Sequence, residues 1–256
     1  MVGSNIYNRK GATHGGQIMK REPGCVGVDG AKSGWIAIWC ENNELTHCVY
    51  SSAQSLVRAH SQASVIAVDI PMGLADRDGR MADVEARRFV GGRRACSIFS
   101  SPVRGILDAT SQPEASHRHR AIDNRGFGAQ SFAILPKIRE WDEVLQADPH
   151  ARATVREIHP EVSFAALNGG RGKGLALRKK SQEGAAFRSE LLAPVFGSER
   201  IARVLQAVSR RQAATDDVLD ALVALWSAER IAAGVAVSLP TPATIDATGL
   251  STAIWY

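Results

Sequence analysis

Cysteine is scarce in this chain and poorly placed for chemistry. Its four cysteines, Cys25, Cys40, Cys48 and Cys96, show no C-x-x-C spacing, and the first three lie in or beside apolar strand-like runs. This argues against a zinc site and a disulfide framework, and a reducing, cytoplasmic setting is the expectation. No run of about eighteen apolar residues occurs, which excludes an ordinary membrane-spanning helix. The N-terminus lacks the apolar core of a secretory signal. There is no P-loop, and no pattern typical of groove reading or single-strand stacking in nucleic-acid binders. Aromatic residues make up only 6% of the chain, and Trp35, Trp39, Trp141 and Trp226 fall within strand or helix patterns, where a core role is the expectation.

The chain does have enough length and apolar content for a substantial core: 256 residues, 45% hydrophobic and 22% charged. Its net charge of +5 is unevenly spread. Residues 1–22 hold Arg9, Lys10, Lys20 and Arg21 against Glu22, and are expected to be a disordered leader. The remainder, 23–256, reads as a single, nearly neutral domain. Within it, residues 77–104 carry seven arginines against three acids, and residues 171–188 carry six Lys or Arg against Glu183. Such local basic segments suit a phosphate-bearing ligand, or else solvated faces.

Three short runs, Cys25 to Gly30, Trp35 to Cys40 and Leu45 to Tyr50, are separated by the turn residues Ser33-Gly34 and Asn42-Asn43 and predict a meander. A helix over Ser52 to Gln62 and a strand over Val65 to Ile70 follow, the crossover being long enough for parallel pairing. Beyond Pro71 the pattern predicts a mostly helical insertion, about residues 77–152, with helices over Asp83 to Val90 and Gly128 to Ala147 around a loop from Gly91 to Pro102. A fifth strand spans Thr154 to Ile158. Helices over Glu161 to Leu167, Gln182 to Leu192, Ser198 to Ser209 and Asp216 to Ala233 complete the pattern, the last capped by Thr215 and closed by Gly234.

Aspartates stand at the rigid points of this framework. Asp29 and Asp69 end continuous apolar strands that are broken at once by Gly30 and by Pro71. Asp217 and Asp220 lie three apart on the last helix and so share a face, whereas Asp216 falls on another flank and is expected to be exposed. A carboxylate buried alone is costly. Several converging ones call for a divalent cation, because like charges at close range otherwise protonate.

The order of elements resembles the ribonuclease H-like fold. At closer range, the chain resembles a bacterial family, domain of unknown function 429, described as predicted ribonuclease H-like nucleases. The resemblance spans about residues 24–256 and rests on five motifs: Gly27-Val28-Asp29-Gly30 with Gly34-Trp35, Val68 to Leu74, Arg94 to Phe99 with Pro102, Glu157 to Phe164, and Asp216 to Ala221. It implies a five-stranded mixed sheet of order 3-2-1-4-5, flanked by helices, with the helical insertion between strands four and five. The late helix also resembles that of Holliday-junction resolvases, with two acids three residues apart. On this resemblance Asp29, Asp69, Glu157, Asp217 and Asp220 form the catalytic set of a Mg²⁺- or Mn²⁺-dependent nuclease acting on nucleic acid. Asp29 would bridge two ions roughly 3.5–4 Å apart, Asp69 and Asp217 or Asp220 would complete the ligands, and Glu157 would serve as base or outer ligand. A strict ribonuclease H pattern is not met, since no Glu comes from the helix before Asp69.

Arg93 and Arg94, in a loop preceded by glycines, are expected to contact phosphate. His117 and His119 read as surface residues, Cys96 as a packing residue, and His159 as either a buried histidine or one that orients a carboxylate or accepts a proton. Two other readings fit the same residues. The Asp29 to Gly34 turn resembles the phosphate-binding turn of actin-like and sugar-kinase phosphotransferases, although no second such turn follows. A non-catalytic module binding nucleic acid or protein on the same fold is the other.

Overall fold

The computed structural model of the protein describes residues 24–256, so the expected leader at residues 1–22 lies outside the described residues. A meander of β1 (Cys25–Ala31), β2 (Gly34–Glu41) and β3 (Glu44–Tyr50) opens the chain, followed by α1 (Ala53–Ala59) and β4 (Val65–Asp69). Asn42 and Asn43 both adopt left-handed backbone, at φ of 48° and 64°, and close the β2–β3 hairpin as its two turn residues. Between β4 and β5 (Val155–Ile158) lie α2 (Met81–Val90), α3 (Gln112–Asp123), α4 (Ala129–Ala147) and α5 (Pro149–Thr154). After β5 come α6 (Pro160–Leu167), α7 (Gln182–Phe196), α8 (Ser198–Ala207) and α9 (Thr215–Ala232), then β6 (Ser238–Leu239) and β7 (Ile254–Trp255).

The sheet order is β3-β2-β1-β4-β5-β7-β6, with β1, β4 and β5 mutually parallel. The expected order 3-2-1-4-5 is therefore present, in a mixed sheet flanked by helices. The sheet has seven strands instead of five, because β6 and β7 add a short antiparallel pair at the β5 edge. Two-residue strands are too short to carry a period-2 signal. Helix α3 also escaped the sequence pattern, since its run of His and Arg presents few apolar positions. Helix α7 continues to Phe196, through Pro194, past its expected end at Leu192.

Side chains alternate across the sheet and build two cores. Val26, Val28, Ile66, Val68 and Val155 face one side, where they meet Ile138 and Trp141 of α4 together with α1. Cys25, Ala31, Val65, Ala67 and Ile158 face the other, against α9. Helix α9 is buried on nearly all sides from Val218 to Glu229, and even the charged Glu229 is inside. Its close approach depends on Gly27: a Cβ there would stand 2.1 Å from the Leu225 nitrogen and 2.2 Å from the Ala221 oxygen. Removing that one side chain lets helix backbone rest on strand backbone. No helix among the described residues is long and apolar enough to cross a membrane.

Candidate active site

Register and alternation bring the acids together. Val28 pairs with Val68 across the parallel β1–β4 ladder, so Asp29 and Asp69, each one residue on, lie at the same level; Asp69 ends β4, whereas β1 runs on to Ala31 beyond the break expected at Gly30. Both have the parity of Cys25, Ala31, Val65 and Ala67 and therefore point to the α9 face. Asp217 and Asp220, in the first two turns of α9, reach the same place from above. A cleft of about 340 Å³ opens there, lined by Asp29, Asp69, Asp217, Lys137, Lys179 and His159 among others.

The electrostatics of this group are severe. The carboxyls of Asp29 and Asp69 lie close enough to share a hydrogen bond when one of them holds a proton. Burial, followed by the charges of Asp69, Asp220 and Asp217, holds Asp29 well above the ordinary carboxylate range, against the lowering influence of Lys179. Burial and the charge of Asp220 push Asp69 up to about 8, although part of its surface stays open to the cleft. Asp220 is pushed up to about 6 by burial, opposed by Lys179. Burial also raises Asp217, whose carboxylate accepts the Ala214 N–H at 2.9 Å and so helps cap the helix it begins.

Lys179 is the principal counter-charge. Its ammonium lies 3.0 Å from Asp220 and 3.8 Å from Asp216; burial lowers its pKa, but Asp220, followed by Asp69 and Asp29, raises it overall. Asp216, expected to be exposed, is instead buried against this lysine. Lys137 donates to the carbonyls of Ala31 and Gly34 at 3.1 and 2.6 Å. The β1–β2 turn thus offers that lysine its oxygens, a polarity opposite to that of an N–H cradle for phosphate.

Glu157 has a different partner from the one expected. It pairs with Val68, not Asp69, so its side chain leaves the sheet on the face away from Asp29 and Asp69. There both carboxylate oxygens accept from Arg80 at 2.7 Å, and one also accepts the Met72 N–H at 2.7 Å. Arg80 further reaches Asp83 at 2.7 Å and the Met72 carbonyl at 2.7 Å, and Asp83 accepts from the backbone and hydroxyl of Ser101. This buried clamp ties β5 and α2 to the segment after Asp69, and the 98–102 loop with them. Burial still raises Glu157, offset by Arg80. One-residue register decides the role of such an acid, and spacing along the chain does not reveal it.

The insertion does wall the cleft, through Arg80, Ile98, Phe99, Ser131, Ile134 and Lys137 among others. Arg94, expected at a phosphate, instead donates to the carbonyls of Leu175, Ala176 and Leu177, anchoring the loop that carries Lys179. The Arg93 side chain lies outside the described residues. His119, expected at the surface, is buried, bonds the Arg125 carbonyl at 2.8 Å and stacks on Phe127, while His117 is exposed. Cys96, expected to pack, is exposed. Arg80, Lys137 and Lys179 carry no motif of their own. The basic runs at 77–104 and 171–188 were the signal for Arg80 and Lys179, but those runs did not single out a residue.

Among the described residues, no three His, Cys, Asp or Glu side chains converge closely enough to hold a metal ion between them. The expected two-ion ligand set is therefore not preassembled: Asp220 is held by Lys179, and Glu157 by Arg80. The donor chemistry of the Asp29–Asp69 pair nevertheless suits Mg²⁺, which prefers hard oxygens and is commonly bound by one or two carboxylates, with waters and substrate phosphates completing its shell.

The model of the family described as "Protein of unknown function (DUF429)" matches residues 27–245, and the chain belongs to that family. No curated protein and no solved structure matches it.

Proposed function

We propose that the cleft is the active site of a metal-dependent nuclease, in which Asp29 and Asp69 hold a Mg²⁺ or Mn²⁺ ion beside Asp220 and Asp217. The observation that carries this reading is the Asp29–Asp69 pair, whose ionised form is compensated, among the described residues, chiefly through Lys179 and more weakly through Lys137. A structural pair of this kind costs stability without return, whereas a cation site needs that deficit of positive charge.

Bound there, the ion would supply a water of lowered pKa and neutralise charge on a phosphodiester. The chain's own groups would do the rest. Lys179 stays protonated and keeps Asp220 ionised, so it offers a fixed positive charge to an anionic backbone. Lys137 adds a second ammonium on the Asp29 side, held in place by two carbonyls and the face of Trp35. Ile98, Ile134 and Ile138 give the opposite wall an apolar surface that limits water. The Arg80 clamp fixes the Asp69–Met72 segment, so the carboxylate pair meets its ligand already oriented. A second ion would draw on Asp220 or Asp217 in place of Lys179.

The test is Mg²⁺- or Mn²⁺-dependent cleavage of single-stranded, duplex, hybrid and branched substrates, comparing wild type with Asp29→Asn and Asp220→Asn. Asp29→Asn should lower hydrolysis by about 10³-fold or more while keeping substrate binding within a few-fold, since charge is removed from a ligand and not from the phosphate-binding lysines. Failure of the wild type to cleave any substrate with either metal would sink the nuclease reading. Metal-independent binding of one substrate would then point to a binding module.

A further inference from the structure

His159 stands where β5 ends and α6 begins, and its ring has a second task besides packing. Its backbone is extended, at φ −134° and ψ 121°, and Pro160 occupies the first turn of the helix. The Nδ1 atom accepts the Glu161 N–H at 3.2 Å, so the imidazole does the capping work usually left to Ser, Asp or Asn. An Nδ1 that accepts has no proton, so the neutral ring carries its proton on Nε2. His159 lines the cleft, and Nε2 has no hydrogen-bond partner among the described residues.

Protonating the ring would place a proton on Nδ1 directly against the Glu161 N–H and add positive charge at the positive end of a helix. The charged groups facing the ring do not reverse this. Glu161 and Asp83 favour a cation, but each is already paired, with Arg188 and with Arg80 at 2.7 Å, while Lys179 and Arg80 oppose one. Burial is the largest influence, and the ring is held down at about 4. Neither nitrogen is therefore open to a metal ion, and Nε2 cannot accept a proton because it already has one. What remains is donation.

We propose that His159 is a ligand-binding residue of the cleft, a neutral imidazole whose Nε2–H donates to an anionic phosphoryl oxygen, and not an acid–base group. The identity of the acceptor rests on the nuclease reading, whereas the tautomer does not. A neutral donor fixed at a helix start costs no reorganisation as charge develops on the oxygen it faces. The same ring could not do this as a base, because a base must present the lone pair that here is engaged by Glu161.

Two measurements test it. Long-range ¹H–¹⁵N NMR of the labelled protein should show the Nε2–H tautomer for His159 and no titration between pH 5.5 and 8.5. Titration with thymidine 5′-monophosphate in Mg²⁺ should shift the Nε2 proton downfield. His159→Asn keeps a good cap, but its amide N–H sits on a shorter side chain and falls short of the Nε2 position, so it should bind the monophosphate about tenfold more weakly at unchanged thermal stability, whereas His159→Ala loses both cap and binding. An Nδ1–H tautomer, a midpoint inside that pH range, or wild-type affinity in a folded His159→Asn protein would overturn the proposal. So would the absence of any monophosphate-dependent shift in the wild type. That last result leaves the nuclease reading to its own cleavage assay, so the two can fail separately.

Discussion

Two groups of carboxylates border the same cleft and have been treated oppositely by the fold. On one face of the sheet, Glu157 and Asp83 share Arg80, and every short contact between them is near 2.7 Å. On the other face, Asp29 and Asp69 have each other, with Asp220 and Asp217 behind them and Lys179 as the main counter-charge. Each group joins acids of the central strands, Glu157 in one and Asp29 with Asp69 in the other, to acids of a helix, Asp83 of α2 and Asp217 with Asp220 of α9. In the first, one buried guanidinium bonds both carboxylates, the N–H groups of Met72 and Ser101 and the Ser101 hydroxyl satisfy their other oxygens, and the group serves rigidity. The second carries more negative charge than its surroundings neutralise, and it is the one that faces α9 across an open cleft. The contrast separates an ion pair built for structure from a group whose unmet charge requires a ligand.

Removing the cation from the satisfied side should have the largest effect. Arg80→Met leaves Glu157 and Asp83 buried without a partner and should destabilise the protein by about 3–5 kcal/mol in urea denaturation. A loss below about 1 kcal/mol would mean that the clamp is not what holds this side together. Next comes the contact that brings α9 to the unsatisfied side. Gly27→Ala forces helix backbone away from β1 and should cost about 1–3 kcal/mol, with weakened metal binding because Asp217 and Asp220 move with the helix. Unchanged stability in that variant would show that α9 does not rest on β1 as closely as described.

Sharpening the unsatisfied side calls for pH. An acid whose folded pKa is raised keeps its proton when the unfolded chain has lost it, so metal-free stability should fall as pH rises from near 4 towards 8, the latter being the value for Asp69. Asp69→Asn should flatten this slope and raise stability at pH 8 by more than about 1.4 kcal/mol, one pKa unit's worth. Mg²⁺ should stabilise the wild type most at pH 8 and the variant least. A metal-free stability that rises between pH 5 and 8 would contradict the pairing. The smallest effect belongs to Lys179→Met: its side chain is 41% exposed, so the loss should be about 0.5–1 kcal/mol, accompanied by a further rise in the Asp220 pKa, read by carboxyl ¹³C NMR.

Much of the framework that holds these acids was already visible along the chain, though the split between the two groups was not. The apolar runs ending in Asp29 and Asp69, the asparagine turn at 42–43 and the three-residue spacing of Asp217 and Asp220 each express a local rule. Such rules depend only on near neighbours, and they place the meander, the crossover strand, the late helix and the acids they carry. The short β6 and β7 strands obey no local rule, since their pairing comes from residues far away in sequence.

The sequence by itself determined the first five strands and most of the helices, and that aspartates stand on them, because backbone sterics, side-chain periodicity and capping act over a few residues. The tertiary structure decided which acids share a space. Register set Glu157 beside Val68 and turned it to the Arg80 side, and the absent side chain of Gly27 let α9 approach β1 and bring Asp217 and Asp220 to the cleft. The loop fastened by Arg94 delivered Lys179 to Asp220. Charge acts through space over several ångströms, so whether a carboxylate is neutralised or left wanting depends on neighbours that only the folded chain supplies.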